Sequence, residues 1–240
     1  MLGKKTDKAL LRTNSAKLEA DSPFEIVEAY KTLRTNLLFA LAAGESKIVV
    51  VSSALPSEGK SSTCSNLAIT MAQTGAKVLL IDADLRKPTQ YQIFKSSNNR
   101  GLSAILAGFN DLTEVVKTVE DVNLDIITSG PTPPNPSELL GSERMELLLE
   151  TLSKHYEYIF IDTPPINIVT DAMVIATKAA GVVLVVRQGQ SNYDDLTKAV
   201  SSIEFSGANI LGLVVNDVAE KSGRYGKYKY SKYKYSYGGK

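Results

Sequence analysis

The sequence is poor in the residues that most often announce chemistry. Its 240 residues include one cysteine, Cys64, and one histidine, His155. A lone cysteine excludes an internal disulfide and fits a reducing cytoplasm; in the segment that follows the glycine-rich loop it reads as a small core residue. His155 precedes a strand-like run at a helix end, where it can favour the helix dipole, and nothing pairs it with a nucleophile. No apolar run approaches the roughly 18 residues of a membrane span. The opening MLGKKTDKALLR is too short and too polar in its apolar part to read as a signal peptide. The chain is therefore expected to be cytoplasmic and to reach a membrane only through a partner.

Acidic residues are missing from one end. After Glu220 there are seven Lys or Arg and no Asp or Glu, so the preceding part carries 20 basic against 26 acidic residues, about −6, although the whole chain is +1. A basic tail thus hangs from an acidic body, and can fold back on its own domain or a neighbour's, or bind an anionic partner. That tail, YGKYKYSKYKYSYGGK, also holds six of the eleven tyrosines: Tyr225, Tyr228, Tyr230, Tyr233, Tyr235 and Tyr237. No helical or strand pattern returns after Asp217.

What is present suits one α/β domain with a full core, since 43% of the residues are hydrophobic and single domains commonly reach about 250 residues. The expected division is an arm over 1–21, a domain over 22–220 and a flexible tail over 221–240. Ser22-Pro23-Phe24-Glu25 predicts a helix start with Ser22 at N-cap, Pro23 at N1 and Glu25 completing a capping box. Ile26, Tyr30, Leu33, Leu37 and Leu41 give that helix one apolar face, ending near Ala43-Gly44. Six β-branched runs follow: IVVVSS from 48, KVLLID from 77, LDIIT from 124, YIFID from 158, VVLVVR from 182 and ILGLVVN from 210. They are apolar throughout rather than alternating, which predicts a doubly wound, mostly parallel sheet covered by helices on both faces. The proline-rich GPTPPNPSELL from 130 leads into a further helix.

IVVVSSALPSEGKSS has the order strand, loop, helix start. Ala54-x4-Gly59-Lys60-Ser61 is a P-loop with Ala at the first glycine position. Amides of Ser57, Glu58, Gly59, Lys60, Ser61 and Ser62 are placed to cradle phosphates at a helix N-terminus, with Lys60 as a point charge on the β and γ oxygens and Ser61 giving its hydroxyl to Mg²⁺. A metal on such a cradle needs acids at the carboxyl ends of neighbouring strands. VLLIDADLRKP supplies Asp82 and Asp84; YIFIDTPP supplies Asp162. Arg86 and Lys87 either help hold phosphate or the tail, or are surface charge.

The P-loop, IDADLR and IDTPP in this order, with the terminal tyrosine cluster, resemble the bacterial tyrosine kinase family, the cytoplasmic kinases tied to capsule and exopolysaccharide export. The similarity runs from about residue 22 to the end. It implies a P-loop NTPase fold shared with the ATPases that place division sites and partition plasmids, and those ATPases are the competing class: switches that transfer no phosphate to protein. Their signature lysine, five residues before the P-loop lysine, is replaced here by Leu55, and their usual terminal helix by tyrosines. The resemblance implies ATP and Mg²⁺ as cofactors, Ser61, Asp84 and Asp162 as metal ligands, Lys60 on the phosphates and Asp82 as base. Asn216 either reads adenine or simply ends a strand. Glu28-x2-Lys31-x2-Arg34 is similar to the family's ring-forming motif, with Lys31 replacing an arginine and losing its planar fork; a solvated charged face is the plain alternative. The implied partners are further copies of the chain in a ring, a membrane-spanning polysaccharide co-polymerase that activates it at the inner face of the plasma membrane, a protein-tyrosine phosphatase and protein substrates. Interleaved Tyr and Lys would otherwise describe a stacking surface for single-stranded nucleic acid; with the kinase motifs present, no nucleic acid is expected.

Overall fold

A computed structural model of the chain describes residues 17–42 and 44–218. The tyrosines at 225–237 lie outside the described residues, as do residues 1–16. Seven strands form one sheet among the described residues: β1 (Ile48–Ser53), β2 (Val78–Asp82), β3 (Lys117–Val119), β4 (Leu124–Ile127), β5 (Tyr158–Asp162), β6 (Gly181–Arg187) and β7 (Ile210–Asn216), in the order β3-β4-β2-β5-β1-β6-β7. All pairs are parallel except β3 with β4. All six predicted strands are found. The seventh, β3, is a strand that the sequence does not announce: only Val119 of its three residues is apolar, none is fully buried, and antiparallel pairing to β4 makes them a strand.

Successive side chains of a strand leave on opposite faces, and both faces are covered. Val50, Leu79, Ile81 and Ile161 pack on one side, with α7 (Glu143–Ser153), α8 (Asp171–Ala176) and α9 (Tyr193–Phe205). Val49, Val51, Leu80 and Phe160 pack on the other, with α1 (Phe24–Leu41) and α2 (Lys60–Ala72). Because α2 lies between the sheet and α1, nearly all of it is buried, Cys64 included. Short helices α3 (Gln90–Ile93), α4 (Leu102–Leu106), α5 (Leu112–Val115) and α6 (Pro136–Leu140) fill the connections. No helix among the described residues is long and apolar enough to cross a membrane.

The start of α1 departs from expectation. Pro23 is extended, with ψ 136°, so the helix begins at Phe24. The Ser22 hydroxyl accepts the Glu19 N–H at 2.9 Å instead of capping, so the capping box does not form. The predicted apolar face is real: Leu37 and Leu41 are buried, and Ile26, Tyr30 and Leu33 pack beside them. Within the expected arm, Leu18 is buried and its N–H donates to Asn66 Oδ1 at 2.8 Å.

Strand order positions the site. β2, β5 and β1 are adjacent, so the three loops that leave their carboxyl ends emerge side by side. Asp82 and Asp162 are direct partners in the β2–β5 ladder, which brings two carboxylates onto neighbouring strands about 4.8 Å apart at the backbone.

Candidate functional site

The loop between β1 and α2 is shaped by two residues with left-handed backbone, Ser57 at φ 64° and Gly59 at φ 90°. A Cβ on Gly59 would stand 2.0 Å from Asn216 Nδ2, so glycine is required both for conformation and for space. The same Asn216 amide donates to Glu58 O at 3.0 Å, tying the end of β7 to the loop. The Glu58 side chain turns into the protein, accepting the Leu55 N–H at 2.7 Å and the Arg187 N–H at 3.3 Å. Burial pushes its carboxyl up, although those N–H donors work the other way. Only the backbone of Glu58 is left for a ligand. Leu55, at the position of the competing class's lysine, packs against the core.

Lys60 opens α2 and reaches across the strand ends. Its ammonium donates to Asp84 Oδ2 at 2.9 Å, Ser61 Oγ at 3.1 Å and Asp162 Oδ1 at 3.3 Å. Burial opposes this charge, but Asp162 and Asp84 outweigh it and hold the lysine above its usual pKa. Asp82 lies beneath. Its Oδ2 accepts the N–H groups of Thr89 at 3.1 Å and Gln90 at 2.9 Å, and its Oδ1 that of Asp84 at 3.2 Å. Burial first, and then the Asp162 charge, push this carboxyl up to about 8. The structure thus brings Lys60, Ser61, Asp82, Asp84 and Asp162 into one constellation.

Several residues of the site carried no recognisable motif. Gln90 is fully buried; its Nε2 donates to Asp162 Oδ2 at 2.8 Å and Ser61 O at 3.2 Å, while its Oε1 accepts from Ser65 Oγ at 2.7 Å. Thr89 Oγ1 donates to Ser61 Oγ at 2.9 Å. Arg86 grips buried Asp171 at the start of α8 through two bonds, Nε to Oδ2 at 2.8 Å and Nη2 to Oδ1 at 3.0 Å. Ser137 of α6 donates to the same carboxylate at 2.5 Å. Arg86 lines the cleft while its guanidinium braces two helices against the IDADLR loop. The only sequence signal was proximity, since Thr89 and Gln90 follow that motif directly; Ser137 and Asp171 had none.

Around this constellation lies a cleft of about 380 Å³, lined on one side by Ser57, Lys60 and Ser61 and on another by Asp84 and Lys87, with Pro164, Pro165, Ile168 and Val169 forming an apolar wall. The charges of α1 lie elsewhere and do not form one free row. Lys31 Nζ pairs with Glu28 Oε1 at 2.8 Å, and Arg34 Nη1 folds back onto Thr70 O at 2.7 Å.

Comparison with known proteins bears on this arrangement. Residues 46–206 match a family model described as an AAA domain. Over 203 residues the chain is 40% identical to the tyrosine-protein kinase YwqD of Bacillus subtilis, covering 85% of each chain. The solved kinase domain of the Escherichia coli tyrosine kinase ETK superposes with a TM-score of 0.80 at 40% identity, covering 82% of this chain and 77% of that one. The septum site-determining protein MinD of Pyrococcus horikoshii, solved with Mg-ADP, superposes with a TM-score of 0.61 at 23% identity over 73% of this chain and 71% of that one, a likeness of P-loop fold alone.

Proposed function

Since this chain belongs to the bacterial tyrosine kinase family and is a protein-tyrosine kinase, we propose that it uses Mg·ATP to phosphorylate the tyrosines of its own tail between subunits, and so regulates capsule or exopolysaccharide synthesis and export. The observation that carries this reading is the convergence of Lys60, Ser61, Asp84 and Asp162 at one end of the sheet, with Asp82 directly below.

The phosphates would lie on the loop amides of Ser57 to Ser62, at the start of α2. Among the described residues no three Asp, Glu, His or Cys side chains enclose an ion by themselves. Two carboxylates and a hydroxyl do converge, and they are hard oxygen donors of the kind Mg²⁺ takes while keeping water and phosphate oxygens for the rest of its shell. Ser61, Asp84 and Asp162 would hold that ion, and its chemistry is neutralisation of charge on the phosphates. With a divalent ion facing the acids, the Lys60 ammonium is free to serve the phosphate oxygens.

In the transfer the tyrosine oxygen bonds to the γ-phosphorus, the bond from that phosphorus to the β,γ-bridging oxygen breaks, and ADP leaves. The phenolic proton would pass to Asp82 in its ionised form, which a divalent ion beside Asp162 would favour by offsetting the charge that raises this carboxyl. A carboxylate offers about four lone-pair sites, and Asp82 Oδ1 accepts a single backbone N–H, so that oxygen has capacity left. Asn216, held against Gly59, would be the residue that reads adenine. The domain is assigned to 22–220 and the substrate tail to 221–240. The remaining parts of the proposal are assembly into a ring through the α1 flank bearing Glu28, Lys31 and Arg34, activation by a membrane-spanning polysaccharide co-polymerase at the inner face of the plasma membrane, and reversal by a protein-tyrosine phosphatase.

Incubation of the full chain with Mg·ATP, followed by intact-mass and fragment analysis, tests this. Successive phosphate additions at Tyr225, Tyr228, Tyr230, Tyr233, Tyr235 and Tyr237 are expected. ADP release without any mass change would reject tail phosphorylation and leave a nucleotide switch.

A further inference from the structure

We propose that the turn after β5, with Ile168 at its crest, is the platform on which the ring of the acceptor tyrosine lies, so that Ile168 helps select tyrosine as the substrate; this rests on the reading of the tail as substrate of a second copy. An exposed isoleucine taken alone is ordinary. What singles out Ile168 is its place: 58% of it is exposed, and with Val169 and the edges of Pro164 and Pro165 it faces Lys60 and Asp84 across the same cleft. Phosphates and metal have no use for an apolar wall. An aromatic ring does, because burying apolar surface on both partners is favourable.

The topology leaves this side open and closes the other. P-loop and turn both leave the middle of the sheet, from β1 and β5. On the β6 and β7 side the loop is covered: Asn216 donates to Glu58 O, Gln190 Nε2 to Pro56 O at 2.6 Å, and the Arg187 N–H to Glu58. The approach that remains runs past the turn and Lys87. The turn is also built to hold its shape. Ser52 Oγ donates to Pro164 O at 2.8 Å, the N–H groups of Ile166 and Asn167 to Ser53 O and Ala54 O at 2.9 and 3.3 Å, and Asn167 Nδ2 to Asp195 O at 2.8 Å. Ile168 and Val169 both donate to Pro165 O. A fixed apolar platform beside the reacting phosphoryl group loses little entropy when a ring settles on it.

The occupant follows from where the chain goes. The described residues end at Val218, two positions after the asparagine that touches the P-loop. Tyr228 follows ten residues later, a contour of roughly 33 Å when extended, enough length to enter the cleft of a neighbouring copy. A tyrosine hydroxyl stands at the far end of its ring, several ångströms further from the backbone than a serine hydroxyl. A site that grips the ring at its wall therefore delivers the tyrosine oxygen and not the serine oxygen.

The test uses full chains. The acceptor carries Lys60→Met and an intact tail; the enzyme carries phenylalanine at all six tail tyrosines and, in turn, Ile168, Ile168→Ser or Ile168→Leu. Phosphate on the acceptor is measured against acceptor concentration. Ile168→Ser should raise KM for the acceptor about tenfold, as expected for losing one apolar contact of this size. It should leave kcat within about twofold and KM for ATP unchanged, and Ile168→Leu should restore the acceptor KM. An acceptor KM unmoved by Ile168→Ser, or a loss confined to kcat, overturns the platform while tail phosphorylation stands. If the enzyme with Ile168 puts no phosphate on the acceptor, tail phosphorylation between subunits falls, and the platform with it.

Discussion

Gly59 and Asp82 show how single residues set this site. Gly59→Ala forces a Cβ into left-handed backbone and onto the Asn216 amide, so either the loop or its bond to Glu58 must give way. Stability should fall by about 1–3 kcal/mol, and nucleotide affinity by about tenfold or more. Chemical denaturation and nucleotide titration measure the two, and an unchanged affinity would show that the loop conformation is not what holds the phosphates. Asp82→Asn differs in kind. The amide keeps one oxygen for the Thr89 and Gln90 N–H groups, sets an NH₂ against the Asp84 N–H, and removes a carboxyl that burial and Asp162 already hold largely uncharged at neutral pH. Charge therefore changes little and one hydrogen bond is lost, so stability should move by no more than about 1 kcal/mol. Transfer to tyrosine should drop about 100-fold or more if Asp82 is the base. Undiminished phosphate on the tail would remove it from that role.

Between elements, the clearest brace is Arg86 with Asp171 and Ser137. It joins the IDADLR loop to the first residues of α6 and α8. Asp171 is fully buried while Arg86 remains partly open to solvent. Removing the arginine leaves a buried carboxylate with only a serine hydroxyl and the α8 N-terminus as partners. Arg86→Ala should therefore cost about 2–3 kcal/mol, less than for a pair buried on both sides. The double variant Arg86→Ala with Asp171→Asn should lose clearly less than the sum of the two single losses, because the charge stranded by the first change is gone. Urea titration of the four proteins decides it, and strict additivity would mean that the two residues act independently.

For the whole molecule, the controlling quantity is charge. Each tyrosine phosphate brings about −1.5 to −2 at neutral pH, so six would add roughly −9 to −12, more than cancelling the tail's seven cationic residues against a body near −6. A tail that bridges subunits while cationic should be repelled once modified. For the ring proposed above, sedimentation should accordingly show smaller species after Mg·ATP and recovery of the larger one after phosphatase treatment. A fully phosphorylated protein that sediments unchanged would reject this switch without touching the kinase activity.

The elements and the motifs are written locally in the chain. Runs of β-branched residues can bury both faces only in a covered sheet, and a strand, a glycine-bearing loop and a lysine in this order make a phosphate cradle wherever they occur. Those are local properties of the chain. The start of α1 departs from its local signals because an extended Pro23 and a bond from the Glu19 N–H to Ser22 outcompete the cap, and β3 carries no local signal because pairing with β4, not its own composition, makes it a strand. Which residues meet is a property of the folded chain. The fold registered Asp82 against Asp162, turned Lys60 onto two carboxylates distant in sequence, buried Gln90 beneath Ser61, joined Arg86 to Asp171, and set Ile168 in the same cleft as the P-loop. Contacts of this kind depend on strand order, and strand order follows from how the helices between strands pack back onto the sheet, which no short stretch of sequence contains.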